Sequence, residues 1–200
     1  MKRRAMLTLG AGAAAVVVAG YSPAVVAADE RKGLFATQLA DLEPDGMWTI
    51  YRRYHLVIVG QRDDAIASGF AVAAVDVLAR FLPASRAQLA RAPDTRRVGV
   101  LLGTNQQDVA IMAAESAEAL FLAKPPFEDL RNVPLRLIVS FGSHVLACRP
   151  DFTARHAYLL AQTLVAHNDA LPAPATAPAG VVPAHPGSHA FFTSGEMPDE

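Results

Sequence analysis

The chain has 200 residues, 52% of them hydrophobic, with 18 basic and 19 acidic side chains and a formal net charge of −1. That balance gives no electrostatic reason to bind nucleic acid or an anionic membrane surface, and leaves small molecules or another protein as partners. Its single cysteine, Cys148, excludes an internal disulfide and stands too far along the chain to be a lipid-anchored N-terminal cysteine.

The first thirty residues, MKRRAMLTLGAGAAAVVVAGYSPAVVAADE, combine a basic start, an apolar run from Ala5 to Gly20, and the small residues Val25 and Ala27 ahead of a charged segment. This pattern predicts a signal peptide over residues 1–27, cleaved near Ala27, and hence export to a bacterial periplasm. The run is too short and too rich in Ala and Gly to read as a membrane span, and nothing later approaches twenty uninterrupted apolar residues. Arg3-Arg4 followed by Ala5, Met6 and Leu7 resembles a twin-arginine export signal, with Lys2 in place of the usual Ser or Thr and Met6 in place of the usual Phe. An ordinary secretory signal is the alternative. Cleavage would remove 27 of the 200 residues, three of them basic, and leave 173, enough for one well-buried domain.

Residues 28–53 form a poorly patterned arm with a turn at EPDGMW, where Pro44 and Gly46 stand. Residues 54–171 read as an α/β domain. Tyr54 to Gly60, YHLVIVG, is a β-branched run ending in glycine, as in a buried parallel strand that enters a loop. After the polar loop QRDD, the residues Ile66, Phe70, Val72, Ala73, Val77, Leu78 and Phe81 recur at helical spacing until Pro83 stops them. Val98 to Leu102 reads as a strand or a helix end, GTNQQ as a break, DVAIMA as a strand, and a helix begins near Glu115 or Ser116. Beyond the turn KPPFEDLRNVP, LRLIVSFGSHVLACRPD holds two short β-rich runs flanking Gly142-Ser143-His144. DFTARHAYLLAQTLVAHNDAL is the clearest helix, with Ala157, Leu160, Ala161, Leu164 and Val165 on one stripe. Strands alternating with helices predict a mostly parallel sheet flanked by helices.

Residues 172–200 open with PAPATAPAGVVPAHPG, in which proline denies the backbone both helix and ladder bonding. The segment should run extended along a surface. It ends in Phe191 and Phe192, which cost free energy if left in water, so the tail is expected to dock.

The order of these motifs resembles the TAXI family of solute-binding receptors, which serve tripartite TRAP transporters. VPAHPGSHAFF is similar to the family's HPGA ending with its aromatic pair. DVAIMAAESAEAL and VLACRPDFTARHAYLLAQTLVAHNDAL resemble its strand-to-helix segment and its late strand, Arg-x-Asp turn and closing helix, and LVIVG falls where its first strand enters a glycine-rich ligand loop. The resemblance implies a periplasmic-binding-protein-like lobe and gives His185, Pro186 and Gly187 a structural part in a strap that runs back across the domain. TAXI receptors have two lobes and about three hundred residues, whereas here LRLIVSFGSHVLACRPD joins an early strand almost directly to the closing helix. The chain therefore corresponds to roughly one lobe.

The first loop also departs from the family, reading GQRDDAIASG rather than glycine-rich. Open α/β sheets bind ligands beyond the carboxyl ends of their strands. There a small-molecule site would be lined by Gly60, Gln61, Arg62, Ser68, Glu115 and Ser116, with Arg62 holding a ligand carboxylate in bidentate fashion and Asp63-Asp64 opposing it. Ser116 can also simply cap the following helix. Two functions follow as expectations: capture of a small organic acid or amino acid for a TRAP-type transporter, or a non-transport accessory role in which a protein partner or a second copy covers the old cleft face. Membrane TRAP subunits are the partners the first would require.

Other chemistry is poorly supplied. His156 and His167 share a helix face but stand about 16 Å apart at 1.5 Å per residue, too far for one ion, and His185 with His189 would chelate only if HPGSH curled. SFGSH lacks the Gly-x-Ser-x-Gly elbow, and Ser143 beside His144 in a strand would point to the opposite face and relay no proton. GTNQQ lacks the second glycine and the lysine of a phosphate loop. Cys148 reads as a small packed hydrophobe, and Glu128-Asp129 as solvated loop charges. Neither a catalytic residue, a metal nor a cofactor is expected.

Overall fold

The computed structural model describes residues 55–130 and 133–198; the expected signal peptide and arm lie outside them. Along the chain run β1 (Val57–Gln61), α1 (Ala65–Phe81), β2 (Gln88–Ala92), α2 (Thr95–Gly103), β3 (Val109–Ala113), α3 (Ala114–Phe121), β4 (Arg136–Ser140), β5 (His144–Cys148), α4 (Ala154–Ala166) and α5 (Pro186–Thr193). The strands form one sheet in the order β2-β1-β3-β5-β4. β1 pairs in parallel with β2 and β3, while β5 is antiparallel to both β3 and β4. The fold is α/β, with a mixed sheet flanked by helices as the sequence pattern predicts, and its parallel part is built by the run β1, α1, β2, α2, β3.

Both faces of the sheet are covered, which is why its strands are buried on consecutive residues rather than alternate ones. Ile58, Val109, Ile111, Leu146 and Cys148 point into one apolar layer with α1 and α4, and Val59, Ala110, Met112, Val145 and Ala147 into the other with α2 and α3. α1 begins where Asp64 caps it, accepting from the N–H groups of Ile66 and Ala67 at 2.9 Å each, and it stops before Pro83. Its buried stripe is Ala67, Phe70, Ala71, Ala74, Val77 and Leu78. Ile66, Val72 and Phe81, which the spacing also assigned to the core, are instead 59%, 37% and 44% exposed. Ile66 and Val72 stand one residue off the buried stripe, about 100° around the helix, and Phe81, the last residue of α1, stacks on His167; a Cβ at Gly60 would stand 2.8 Å from the Ala71 Cβ, so β1 and α1 approach closely there. Gly60 is thus a packing glycine inside β1, not part of a ligand loop.

Two elements were not legible. β2, QLARA, is partly exposed at the sheet margin and carries no apolar alternation. The segment around Val98 belongs to α2, whose start is set by Asp94 accepting from the Arg97 N–H at 2.7 Å.

The tail runs along the free edge of β4. Thr176 and Ser140 exchange both backbone hydrogen bonds, Leu137 N–H donates to Pro183, and His185 N–H donates to Leu137. The proline-rich segment therefore covers a row of edge groups that would otherwise be open to pairing with another chain. The HPGSH motif then turns into α5 rather than staying extended. His185 caps it, accepting from the Gly187 N–H at 3.2 Å, and Pro186 occupies the first helical position, where its missing N–H costs nothing. Ser188, fully buried, donates its hydroxyl to the Ile138 carbonyl, at the point where the β4–β5 register shifts. Gly187 packs so tightly on α4 that a Cβ would lie 1.8 Å from the Ala154 carbonyl oxygen. Phe191 and Phe192 are half-buried against the core, Phe191 edge-on to Tyr158 with ring centroids 5.5 Å apart.

Gly187→Ala should therefore destabilise by about 3 kcal/mol, the upper part of the overpacking range, although the same change in an open helix would stabilise. Ser188→Ala should cost about 1–3 kcal/mol through the unpaired Ile138 carbonyl. Urea unfolding of the two variants tests both; a Gly187→Ala protein as stable as the parent would refute the close packing.

Candidate functional site

The carboxyl ends of β1 and β3 point to the same end of the sheet, and the turn between β4 and β5 reaches it because β5 starts opposite Ala113. The six residues expected to line a site here divide between the two faces. Gly60 points its Cα hydrogen at α1, so Gln61, next along β1, faces the α2 and α3 side by strand alternation. Gln61 is buried, and its side-chain oxygen has no hydrogen-bond partner. Arg62 follows in the loop with its side chain exposed, its backbone N–H donating to Ala92. Arg62 and Ser68 line one groove along the outer side of α1, together with Val72, Asp76, Arg80 and Phe81. Glu115, exposed, and Ser116 lie in the first turn of α3 and do not line that groove. Ser116 is not the cap of α3 either; Ala113 holds that position without a side-chain bond.

Between the two faces lies a row of polar groups. His144 Nε2 is 2.9 Å from Asp64 Oδ2, and His144 Nδ1 is 2.9 Å from Ser143 Oγ. Strand alternation does not separate Ser143 from His144, because Ser143 precedes β5 in a turn where Gly142 takes φ +77°. His144 is buried against Phe70, and Ser143 is exposed. The backbone carbonyl of Ser143 also accepts from the Ala114 N–H, tying the turn to the start of α3.

Asp64 does two jobs with its two oxygens. Oδ1 caps α1 and Oδ2 meets His144. Burial alone would raise its carboxyl, but hydrogen bonds from His144 and from the Ala67 and Ile66 amides, with the charge of His144, outweigh that and hold it below the ordinary carboxylate value. The order serine, histidine, aspartate is that of a nucleophilic relay, yet here the aspartate is already committed to a helix cap. The row ties three loops together, from β1, β3 and β5, and leaves Asp63 as the acidic neighbour of Arg62.

The other chemistry-bearing residues have structural placements. Asp129 is an exposed loop charge, as expected, and also forms a two-pronged pair with Arg96, at 2.8 and 2.5 Å, which ties the loop after α3 to the start of α2. Cys148 is fully buried, and burial pushes its thiol well above the ordinary value. His185 is buried and lowered by that burial, which keeps its ring neutral and able to accept from Gly187. It caps a helix, while His189 is exposed on it. Among the described residues no three His, Cys, Asp or Glu side chains gather as a metal site, and no helix is long and apolar enough to cross a membrane.

The fold and this end of the sheet define an α/β domain with helices on both faces of a five-stranded mixed sheet. The chain matches no protein-family model, and neither a curated protein nor a solved structure matches it.

Acid should unfold the protein in two stages. The unfolded chain protonates His185 below about pH 6.5 while the folded one resists, so stability declines as pH falls from there. The Asp64 contribution is present above about pH 4 and is lost as pH falls through its lowered folded value. Melting temperature against pH should lose its first slope in His185→Asn, which retains a capping side chain, and part of its second in Asp64→Asn. Cys148 should react with iodoacetamide only at the rate of unfolding; rapid modification of the folded protein would contradict its burial.

Proposed function

We propose that the protein is an exported, non-catalytic binding protein, a TAXI-like receptor lobe that takes a small organic acid or amino acid beside Arg62 for a TRAP-type transporter. The observation that supports this reading is the groove shared by Arg62 and Ser68 at the carboxyl end of β1. A guanidinium there presents two parallel N–H donors to a carboxylate, and a hydroxyl one helical turn into α1 supplies a further donor. Asp64, one of the two opposing acids expected from sequence, is engaged with α1 and His144 and so competes less for Arg62 than Asp63 does. Ser143 and His144 serve this reading as a brace for the loops, not as a nucleophile and its base.

A second reading has its own support. The groove continues along α1 past Val72 to Arg80 and Phe81, and Ile66 is exposed on the same helix. From residue 65 to residue 81 that helix runs about 25 Å, longer than any small acid. An accessory role, with a protein partner or a second copy of the chain laid along α1, uses that length.

Thermal unfolding against amino acids and di- and keto-carboxylic acids separates the two. A ligand bound only by the folded state stabilises it by about 2.7 kcal/mol at a hundred times its Kd, so one acid should raise the melting temperature saturably. Arg62→Ala should weaken that acid at least tenfold, about 1.4 kcal/mol, while leaving the melting temperature of the free protein unchanged. No shift at millimolar acid, together with a concentration-dependent mass in sedimentation that Val72→Glu abolishes, would replace the first reading by the second.

A further inference from the structure

The outward side of α1 carries a groove that runs from Arg62 past Ala65, Gly69 and Val72 to Asp76 and Arg80. A Cβ added at Gly69 would meet nothing within 4 Å, and glycine is a poor former of helix interiors, so packing within the chain gives no reason for it there. What a glycine on an open helix face permits is the near approach of another backbone. Val72, on the next turn of the same face, is exposed and apolar. The charges toward the two ends of the groove are opposite in sign. Among the described residues neither the Arg62 nor the Asp76 side chain has an ion-pair partner. Arg80, one helical turn beyond Asp76, lies over the Phe81 ring instead, 5.8 Å from its centroid.

The geometry points to a second copy of this chain as the occupant of the groove, lying antiparallel along α1 about a two-fold axis at Gly69, with Arg62 of each copy holding Asp76 of the other. This deepens the accessory reading of α1 and rests on it. The register follows from spacing. Arg62 stands seven residues before Gly69 and Asp76 seven after it, so the axis brings each level with the other, about 10 Å away at 1.5 Å per residue. The same operation sets Val72 level with the gap between Gly69 and Ala65 of the other copy, whose small side chains leave room for it. Sliding the axis two residues toward the end of α1 would instead oppose Arg62 to Arg80, like against like. Every contact then occurs twice and the assembly closes at two copies. An unrelated protein would have to bring both charges at the right spacing, whereas this chain carries them itself. The face of one such helix, about 25 Å by about 10 Å, is smaller than the roughly 800 Å² per partner of a standard interface, so the dimer is weak. Because Asp76 of the other copy takes the place of a small acid on Arg62, dimer and acid exclude each other.

Sedimentation equilibrium of the purified protein from about 10 μM to about 1 mM, a range set by the small interface, reads the dimer directly. The mass should rise with concentration toward twice that of the chain. Arg62→Asp and Asp76→Arg should each weaken the dimer at least tenfold by placing like charges together at both ends. Mixed in equal amounts, the two variants should regain the parent's association, because both opposite-charge pairs are then restored between chains. A pair formed inside one chain could not be restored by mixing. Gly69→Leu, which places a better helix former in open space, should raise the melting temperature of the monomer and abolish the dimer. A dimer that Val72→Glu abolishes, but that neither Gly69→Leu nor the charge variants affect, would keep α1 as the interface and overturn this register. A protein that stays monomeric throughout the range would overturn the proposal and leave the groove to a different protein or to the small acid.

Discussion

The structure depends on a sheet edge that the chain must cover itself. β4 is the last strand of the sheet, its outer backbone groups unpaired by any strand, and it carries a register shift that frees a carbonyl at Ile138. The tail answers both needs in one pass: its backbone bonds to Leu137 and Ser140 close the edge, and the Ser188 hydroxyl takes the Ile138 carbonyl. That bond forms only if α5 lies hard against α4, and Gly187 is the residue that permits the approach. His185 sets the entry angle by capping the helix, and Pro186 fixes its first turn. Each residue of HPGS thus has one physical task, and none of the tasks concerns a ligand.

A second fastening operates at the other side of the sheet. The β4–β5 turn spends only three residues, 141–143, and β5 then runs antiparallel between β3 and β4. That insertion brings His144 to the carboxyl end of β1, where Asp64 already caps α1. One part-buried hydrogen bond therefore connects the first loop of the domain to the β4–β5 hairpin. Its His144 side is buried while Asp64 keeps contact with water, so the bond is strengthened by partial desolvation. The same bond withdraws Asp64 from the ligand end, which leaves Arg62 less opposed than its sequence neighbours suggest.

What the sequence disclosed follows the strength of each signal. β1, β3, α1 and α4 were legible because continuous apolar runs and helical spacing are the direct imprint of burial. The docking of the tail was legible because Phe191 and Phe192 are hard to leave in water. β2 was not, since a partly exposed edge strand needs only a weak apolar pattern, and QLARA buries Ala92 alone. Nor was the outward turn of Ile66, Val72 and Phe81: which of several apolar rows on α1 faces the sheet is set by contacts between elements, such as the close Gly60–Ala71 approach, and is invisible to spacing along one of them. The Ser143–His144 contact was missed for a related reason. Alternation holds within a strand, and Ser143 stands in the turn just before β5, beside Gly142 in the left-handed region, where the rule does not apply.

The same reasoning explains why the expected site residues scatter. Gly60, Gln61, Arg62 and Ser68 are close in sequence, yet a strand and a helix send their side chains to different faces, and Glu115 and Ser116 begin a helix on the far side of the sheet. Strand alternation turns Gln61 to the layer opposite Gly60, and the start of α3 carries Glu115 and Ser116 away from α1, so of the six only Arg62 and Ser68 share a groove. Nearness along the chain therefore becomes nearness in space only where strand and helix both leave a side chain on the same side of the sheet.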